Sequence, residues 1–394
     1  MVVTGLDRIV ADPSTLLGKR VGMLTNYTSV TSHLTRGVDA LQAAGAGLVV
    51  LFGPEHGLTG TAQAGESEDS VVDKPTGLPL VDTYGLGRHL DDVIAPHRLD
   101  ALVYDMQDIG VRYWTYTWSM YDAMAACARL GIEFIVLDRP NPLGGIRVEG
   151  PELDRQYSSF VGRTSTRQRH GLTAGELASL FNRADMPREA GQAAQLTVVT
   201  MLGWARSDSW SQTGLPWVMP SPNLPTPDSV WAFAATGLLE GTNASEGRGT
   251  TRPFELFGAP YVDDRFVPAL SSLDLPGVAF RETFFRPTFH KHAGQAARGA
   301  QIYLTDPEAY RPVRTGVAIA QTLAELYPDD FAVLPSRQEA DDDHAGFPLD
   351  RLWGSAGLRQ FLEHTTTRLD GRDDLTTDLA YSHDALLYPD QPAC

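Results

Sequence analysis

The sequence predicts an α/β protein with a Rossmann-like, doubly wound, mostly parallel sheet and a smaller α+β part toward the C-terminal end. Three observations predict it. Short apolar runs alternate with amphipathic stretches through the first half, the pattern of successive βα units. These runs are apolar at consecutive positions rather than every second one, which suits strands covered on both faces. At 394 residues the chain also exceeds a usual single domain, and its texture changes after about residue 203. We therefore expect a Rossmann-like subdomain over residues 1–240 and an α+β subdomain over 241–394.

The elements follow in order. VGMLTN (21–26), LVVLFG (48–53), ALVYD (101–105), FIVLD (134–138) and LTVVT (196–200) read as strands. TRGVDALQAAGA, WSMYDAMAACARLG and TAGELASLFN read as helices, the second stopped by Gly131 and the third opened by a capping box of Thr173 and Glu176. The proline-rich TGLPWVMPSPNLPTPDS excludes regular helix and predicts an extended loop able to line a groove. Beyond it, GAQIYLT reads as a strand, and helices are expected near 312–327 and 355–365. The acidic EADDDH at 339–344 reads as a solvated surface loop.

Composition excludes several functions. Lys+Arg 32 against Asp+Glu 49 leaves a formal charge of -17, which repels phosphate backbones, so neither nucleic acid nor an anionic membrane is an expected partner. The only cysteines, Cys127 and Cys394, give no disulfide framework or cysteine metal site. No apolar run approaches the roughly 20 residues that a membrane-spanning helix needs, so no membrane insertion is expected. The start MVVTGLDRIVADPS lacks a signal-like pattern, so the expected location is the cytoplasm, or export with the signal removed.

In open α/β sheets ligands bind beyond the carboxyl ends of the strands. Polar residues collect there in this sequence: Asn26 after the first run, Glu55 and His56 after the second, Gln107, Asp108 and Arg112 after the third, Arg139 and Asn141 after the fourth. In PEHG, Pro54 and the flanking Gly53 and Gly57 make a rigid corner that presents Glu55 to a cleft. A carboxyl partly buried there is raised by desolvation and suits a general acid. The plainer alternative has His56 capping a following helix and Glu55 in solvent. YDMQDIGVRYWTYTW adds Tyr116 and further aromatics to amides and carboxylates, the combination that grips sugars, though Trp114 and Trp118 also read as core anchors.

DRPNPLGGIRVEGP supplies a second candidate carboxylate, Glu149, and an Asp138–Arg139 pair that reads equally as structural. Asn223 in the proline-rich loop, and Glu246, Arg248 and Arg252 in EGTNASEGRGTTRPFE, complete the binding candidates; Glu255 could pair with one of these arginines. There is no GxxxxGK[ST], HExxH or GxSxG, and the glycines of GAGLVV precede a strand instead of following one. HKH at 290–292 has a strand-face spacing for zinc but no clear third ligand, so no metal or other cofactor is expected.

Taken together, PEHG, YDMQDIGVRYWTYTW, DRPNPLGG, VEGP, PSPNLPTPDS, EGTNASEGRGTTRPFE, RPTFHKHAG and LDRLWGS resemble the exo-β-N-acetylmuramidase (NamZ-like) family, glycoside hydrolases of bacterial peptidoglycan turnover. The resemblance runs from GLDRI to LYP, nearly the whole chain. It implies an active cleft between the two subdomains, and release of N-acetylmuramic acid from the non-reducing end of peptide-free glycan fragments. It also implies that Glu55 leads catalysis, with Glu149 as its partner. Asp108 would orient the substrate amide if the N-acetyl group assists. The lactyl carboxylate of muramic acid asks for a cation, for which Arg248 and Arg252 come first, then Arg112 and Arg139. A non-catalytic muropeptide- or sugar-binding protein is the alternative.

Overall fold

The computed structural model describes residues 1–63, 65–66, 71–86, 89–336, 346–363, 376–378 and 386–391. The acidic segment 339–344 and Cys394 lie outside them. In chain order the first strands are β1 (Val21–Thr25), β2 (Leu48–Gly53), β3 (Val71–Val72), β4 (Pro79–Asp82), β5 (Ala101–Asp105), β6 (Glu133–Leu137), β7 (Arg147–Glu152), β8 (Arg167–Arg169) and β9 (Leu196–Val199). Seven of them form the main sheet in the order β3-β4-β2-β1-β5-β6-β9. All neighbours are parallel except the edge pair β3–β4. From β1 the chain steps outward through β2 to β4, then returns to β5 and steps the other way. The strand order thus reverses between β1 and β5, where Thr25 and Asp105 sit level and the Thr25 hydroxyl donates to the Asp105 carbonyl at 3.1 Å.

Both faces of the sheet are covered, as the unbroken apolar runs require. Met23, Leu51, Val103, Ile135 and Leu137 face one apolar cluster, whereas Leu24, Val50, Phe52, Leu102, Phe134 and Val136 face another. Successive side chains on a strand point to opposite faces, so a run apolar at every position feeds two cores at once. The larger cluster continues without a break through Phe254, Phe257, Val313, Leu323 and Trp353, so the C-terminal part is packed onto the first by shared core.

The helix signals act where expected. Thr115–Leu130 ends at Gly131, whose φ of 70° is the left-handed conformation that glycine adopts without a steric penalty. Ala174–Ala184 opens on the reciprocal Thr173–Glu176 box. The proline-rich segment differs from expectation at its end: Pro227 stands in the first turn of a helix, Pro227–Thr236, capped by Thr226 and Ser229. Proline is tolerated there because a first-turn N–H has no intrahelical partner to lose.

The C-terminal part holds β10 (Leu256–Ala259), β11 (Val278–Phe285) and β12 (Ala297–Leu304) in an antiparallel sheet ordered β10-β12-β11, with helix Phe266–Ser272 against β11 and β12 and helix Pro312–Leu326 packed on that helix. β13 (Thr376–Asp378) pairs antiparallel with β7, in a sheet ordered β13-β7-β8. Among the described residues no helix is long and apolar enough to cross a membrane.

Candidate active site

A cleft of about 470 Å³ lies against the end of β2. The corner after that strand supplies Glu55 and His56, and the segment before helix Thr115–Leu130 supplies Tyr113, Trp114 and Thr115. The proline-rich loop adds Ser221 and Leu224, and later segments add Glu240, Arg248, Phe254, Phe289 and His290.

Glu55 is buried and held at both oxygens. The Gly65 N–H donates to Oε1 at 2.6 Å and the Thr115 hydroxyl to Oε2 at 2.5 Å. The corner is tight because His56 and Gly57 both adopt left-handed backbone, φ 70° and 72°. Among the described residues His56 is followed by turns and not by a helix that it could cap. Its N–H instead donates to the Glu66 carbonyl at 2.9 Å, and its Nδ1 lies 2.9 Å from the Ala62 carbonyl. His56 therefore fastens the returning segment, and with it Gly65, over the Glu55 carboxyl.

Across the cleft Arg248 donates from Nη2 to Glu240 at 2.8 Å, and its guanidinium stands 5.0 Å over the Phe254 ring. Burial pulls the guanidinium pKa down, but Glu240 and Glu246 outweigh it, Glu55 adds to their pull, and the net shift is upward. Glu246 is fully buried behind this wall, with Lys291 Nζ at 2.8 Å, His290 Nδ1 at 3.0 Å and Arg248 Nε at 3.5 Å. Burial pushes its carboxyl up; Lys291, His290 and Arg248 more than reverse that and hold it below the ordinary range. The buried Trp114 Nε1–H, in the cleft wall, has no hydrogen-bond partner among the described residues.

Most other polar strand ends do not line the cleft; they satisfy one another beneath it. Arg139 makes a bidentate pair with Asp105, at 2.5 and 2.8 Å, and the Ser29 hydroxyl also donates to Asp105. Gln107 donates to the Asp108 and Pro140 carbonyls, and Asn141 donates to the Leu172 carbonyl. Asn26 Oδ1 accepts from the Thr28 N–H and hydroxyl. Asp108 accepts from Thr117 and Gly110 with His170 Nε2 at 3.4 Å; burial raises its pKa, and these partners outweigh burial to lower it. The reason is general: a polar group taken from water without a partner costs about 1–3 kcal/mol, so most buried ones are paired.

Five further candidates take other places. Arg112 is fully buried and donates to the carbonyls of Pro151, Thr166 and Leu352, so it clamps three segments together and is not a ligand arm. Tyr116 donates to the Pro220 carbonyl at 2.7 Å, which seats the proline-rich loop. Glu149, in β7, is buried in an ion pair with Arg169 at 2.7 Å and accepts from the Val313 N–H at 3.2 Å, away from the cleft lining. Burial raises its pKa and Arg169 only partly offsets that. Arg252 pairs with Glu255 at 3.0 Å and faces a separate cavity of about 210 Å³ with Trp231 and Tyr303. Asn223 is buried beside the cleft-lining Ser221, whose hydroxyl accepts from the Asn223 N–H.

HKH is not a strand face. His290 and His292 have left-handed backbone, φ 66° and 55°, and their imidazoles go to Glu246 and to the Asn243 carbonyl. Among the described residues no group of three potential metal ligands comes together. Thr115, Ser221, Glu240, Phe289 and His290 carry no local spacing signal for this cleft; only the fold assembles them.

Two family models cover the chain: the exo-β-N-acetylmuramidase NamZ N-terminal model over residues 21–228 and the C-terminal model over 231–381. The peptidoglycan β-N-acetylmuramidase NamZ of Bacillus subtilis (strain 168) is 44% identical over 369 residues, 93% of this chain and 85% of that protein. A crystal structure of a DUF1343 family protein from Bacteroides fragilis NCTC 9343 matches with a TM-score of 0.82 at 34% identity, covering 95% of this chain and 96% of that one. A second DUF1343 protein from the same organism matches at 0.74 and 25% identity, over 99% and 100%. With both halves matched by paired models and nearly half of the aligned residues shared, the chain belongs to the NamZ exo-β-N-acetylmuramidase family.

Proposed function

We propose that this protein is an exo-acting glycoside hydrolase that releases N-acetylmuramic acid from the non-reducing end of peptide-free peptidoglycan fragments, with Glu55 as general acid. The observation that carries the reading is the Glu55 carboxyl, buried and fixed by Gly65 and Thr115 in the wall of a cleft lined by aromatics and by Arg248. Rings cover the C–H faces of a sugar, and the Trp114 Nε1–H is a donor for a hydroxyl or acetyl oxygen.

In the reaction Glu55 gives its proton to the glycosidic oxygen as the bond to C1 breaks. The Thr115 hydroxyl supports both states, because it can accept from the acid and donate to the anion. Water then adds to C1 and must lose a proton. Glu149 is engaged with Arg169 and Val313 away from the cleft; among the described residues the cleft wall also carries the carboxylates of Glu66 and Glu240, and one of these takes that proton. Arg248, which lines the same cleft as Glu55, is the cation we assign to the lactyl carboxylate, whereas Arg252 lines another cavity.

Replacing Glu55 by Gln tests the reading. Turnover of an aryl β-N-acetylmuramide should fall by roughly 10²–10⁴ with sugar affinity kept, the loss expected on removing a positioned acid. A Glu55→Gln enzyme with undiminished turnover overturns the assignment, and a wild-type protein that binds the sugar without turning it over supports a sugar-binding role instead.

A further inference from the structure

Resting on the muramidase reading, we propose that His290 and Arg248, both positioned by the buried carboxylate of Glu246, form a two-cation fork that binds the lactyl carboxylate and so selects muramic acid over N-acetylglucosamine. Both side chains line the cleft that holds Glu55. Both lie against Glu246 Oε1, 3.0 Å from His290 Nδ1 and 3.5 Å from Arg248 Nε, as ion pairs in which neither N–H is aligned for a hydrogen bond. The anchoring leaves His290 Nε2 and the remaining guanidinium N–H groups for a ligand, since Arg248 Nη2 is taken by Glu240.

The backbone shows how the fork is made. In an extended strand consecutive side chains point to opposite faces, yet His290 and Lys291 both reach Glu246. The left-handed turn at His290 makes this possible, and the His292 imidazole pins the turn to the Asn243 carbonyl at 2.7 Å. The same segment docks on the Arg248 loop: the Thr288 N–H and hydroxyl donate to the Gly249 carbonyl at 2.9 and 3.0 Å. Gly249 has φ 79°, and a Cβ there would lie 2.6 Å from the Phe289 carbonyl oxygen, so the approach requires glycine.

Lys291 is not a third prong. Its ammonium is spent on Glu246 and on the carbonyls of Leu239 and Ala244, at 2.8, 2.8 and 3.0 Å. The groups facing the His290 imidazole are therefore Glu246, Lys291 and Arg248 from its own wall, Glu240 beside them, and Glu55 and Glu66 across the cleft. The Glu66 carboxylate in the lining disfavours a ligand anion on its side of the cleft, so the Arg248–His290 edge orients the muramic unit as well as selecting it.

An imidazole pairs strongly with a carboxylate only when protonated, and it loses that proton between about pH 5 and 8. Titration calorimetry with free N-acetylmuramic acid and N-acetylglucosamine at both ends of that window tests the fork. Wild type should prefer muramic acid, more so at the acidic end. His290→Gln should weaken muramic acid about tenfold at the acidic end, leave N-acetylglucosamine within about twofold, and flatten the pH dependence. His290→Lys should restore the preference and make it pH-independent. Glu246→Gln should weaken muramic acid selectively, and if that variant does not fold the His290 pair decides alone.

Equal effects of His290→Gln on the two sugars, no effect on either, or no preference in wild type would each overturn the fork. Hydrolysis of an aryl β-N-acetylmuramide by the wild type, measured alongside, separates failure of the fork from failure of the muramidase reading.

Discussion

The Thr115 hydroxyl donates to Glu55 Oε2 over 2.5 Å, joining the corner after β2 to the head of the helix Thr115–Leu130. With the Gly65 N–H on the other oxygen, the carboxyl is fixed from two sides. Thr115→Val keeps the side-chain shape and removes the hydroxyl. Steady-state kinetics should show kcat lowered by about tenfold or more with KM within about threefold, because a misplaced acid loses transition-state stabilisation and not ground-state binding. A variant with raised KM and unchanged kcat would place Thr115 in substrate binding instead.

Arg248 and Arg252 are separated by the fold although they are neighbours in the chain. Arg248→Ala should lower kcat/KM on muramic substrates by about tenfold or more, the loss of a charge-assisted contact. Arg252→Ala should leave kcat/KM within about twofold and barely alter thermal stability, since its side chain is 51% exposed and its pair with Glu255 is screened by solvent. Equal kinetic losses in the two variants would contradict this division.

Arg112 holds the carbonyls of Pro151, Thr166 and Leu352 from a fully buried position. Arg112→Met approximates its bulk but strands those acceptors. We expect a loss of about 3–5 kcal/mol in urea denaturation, with the residual folded enzyme keeping its KM. A stability change under about 1 kcal/mol would show that the acceptors find other partners.

Asp138 gives a pH signature. Burial pushes its carboxyl up to about 6, only partly offset by hydrogen bonds from Tyr388, Gly175 and Thr173. With its unfolded value near 4, the folded state binds the proton more tightly between the two values. This contribution to stability is therefore full below about pH 4 and lost as pH rises through about 6, by roughly 3 kcal/mol. Denaturation of Asp138→Asn and wild type across pH 4–7 isolates it: the wild type should lose stability relative to the variant as pH rises. Parallel curves would refute the shift.

Five parallel strands and three of the helices among them were legible because two-sided burial writes a local signature, an apolar run with no polar alternation, and because caps such as Thr173–Glu176 act over three residues. β4 was not legible: PLVD is short, begins with proline and ends on a charge, and pairing with β2 and β3 defines it. The rigid corner that presents Glu55 was readable for the same local reason, since Pro54 and Gly57 restrict and permit specific backbone angles wherever they occur. Which polar residues face the cleft was not. Asp105, Gln107, Arg139 and Glu149 have the composition of ligands, and burial turned them to partners within the protein; Glu240, Arg248 and His290 meet from distant segments. Backbone preference is set by neighbours along the chain, whereas the choice between partner and ligand is set by what desolvation leaves unpaired, and only the folded arrangement decides that.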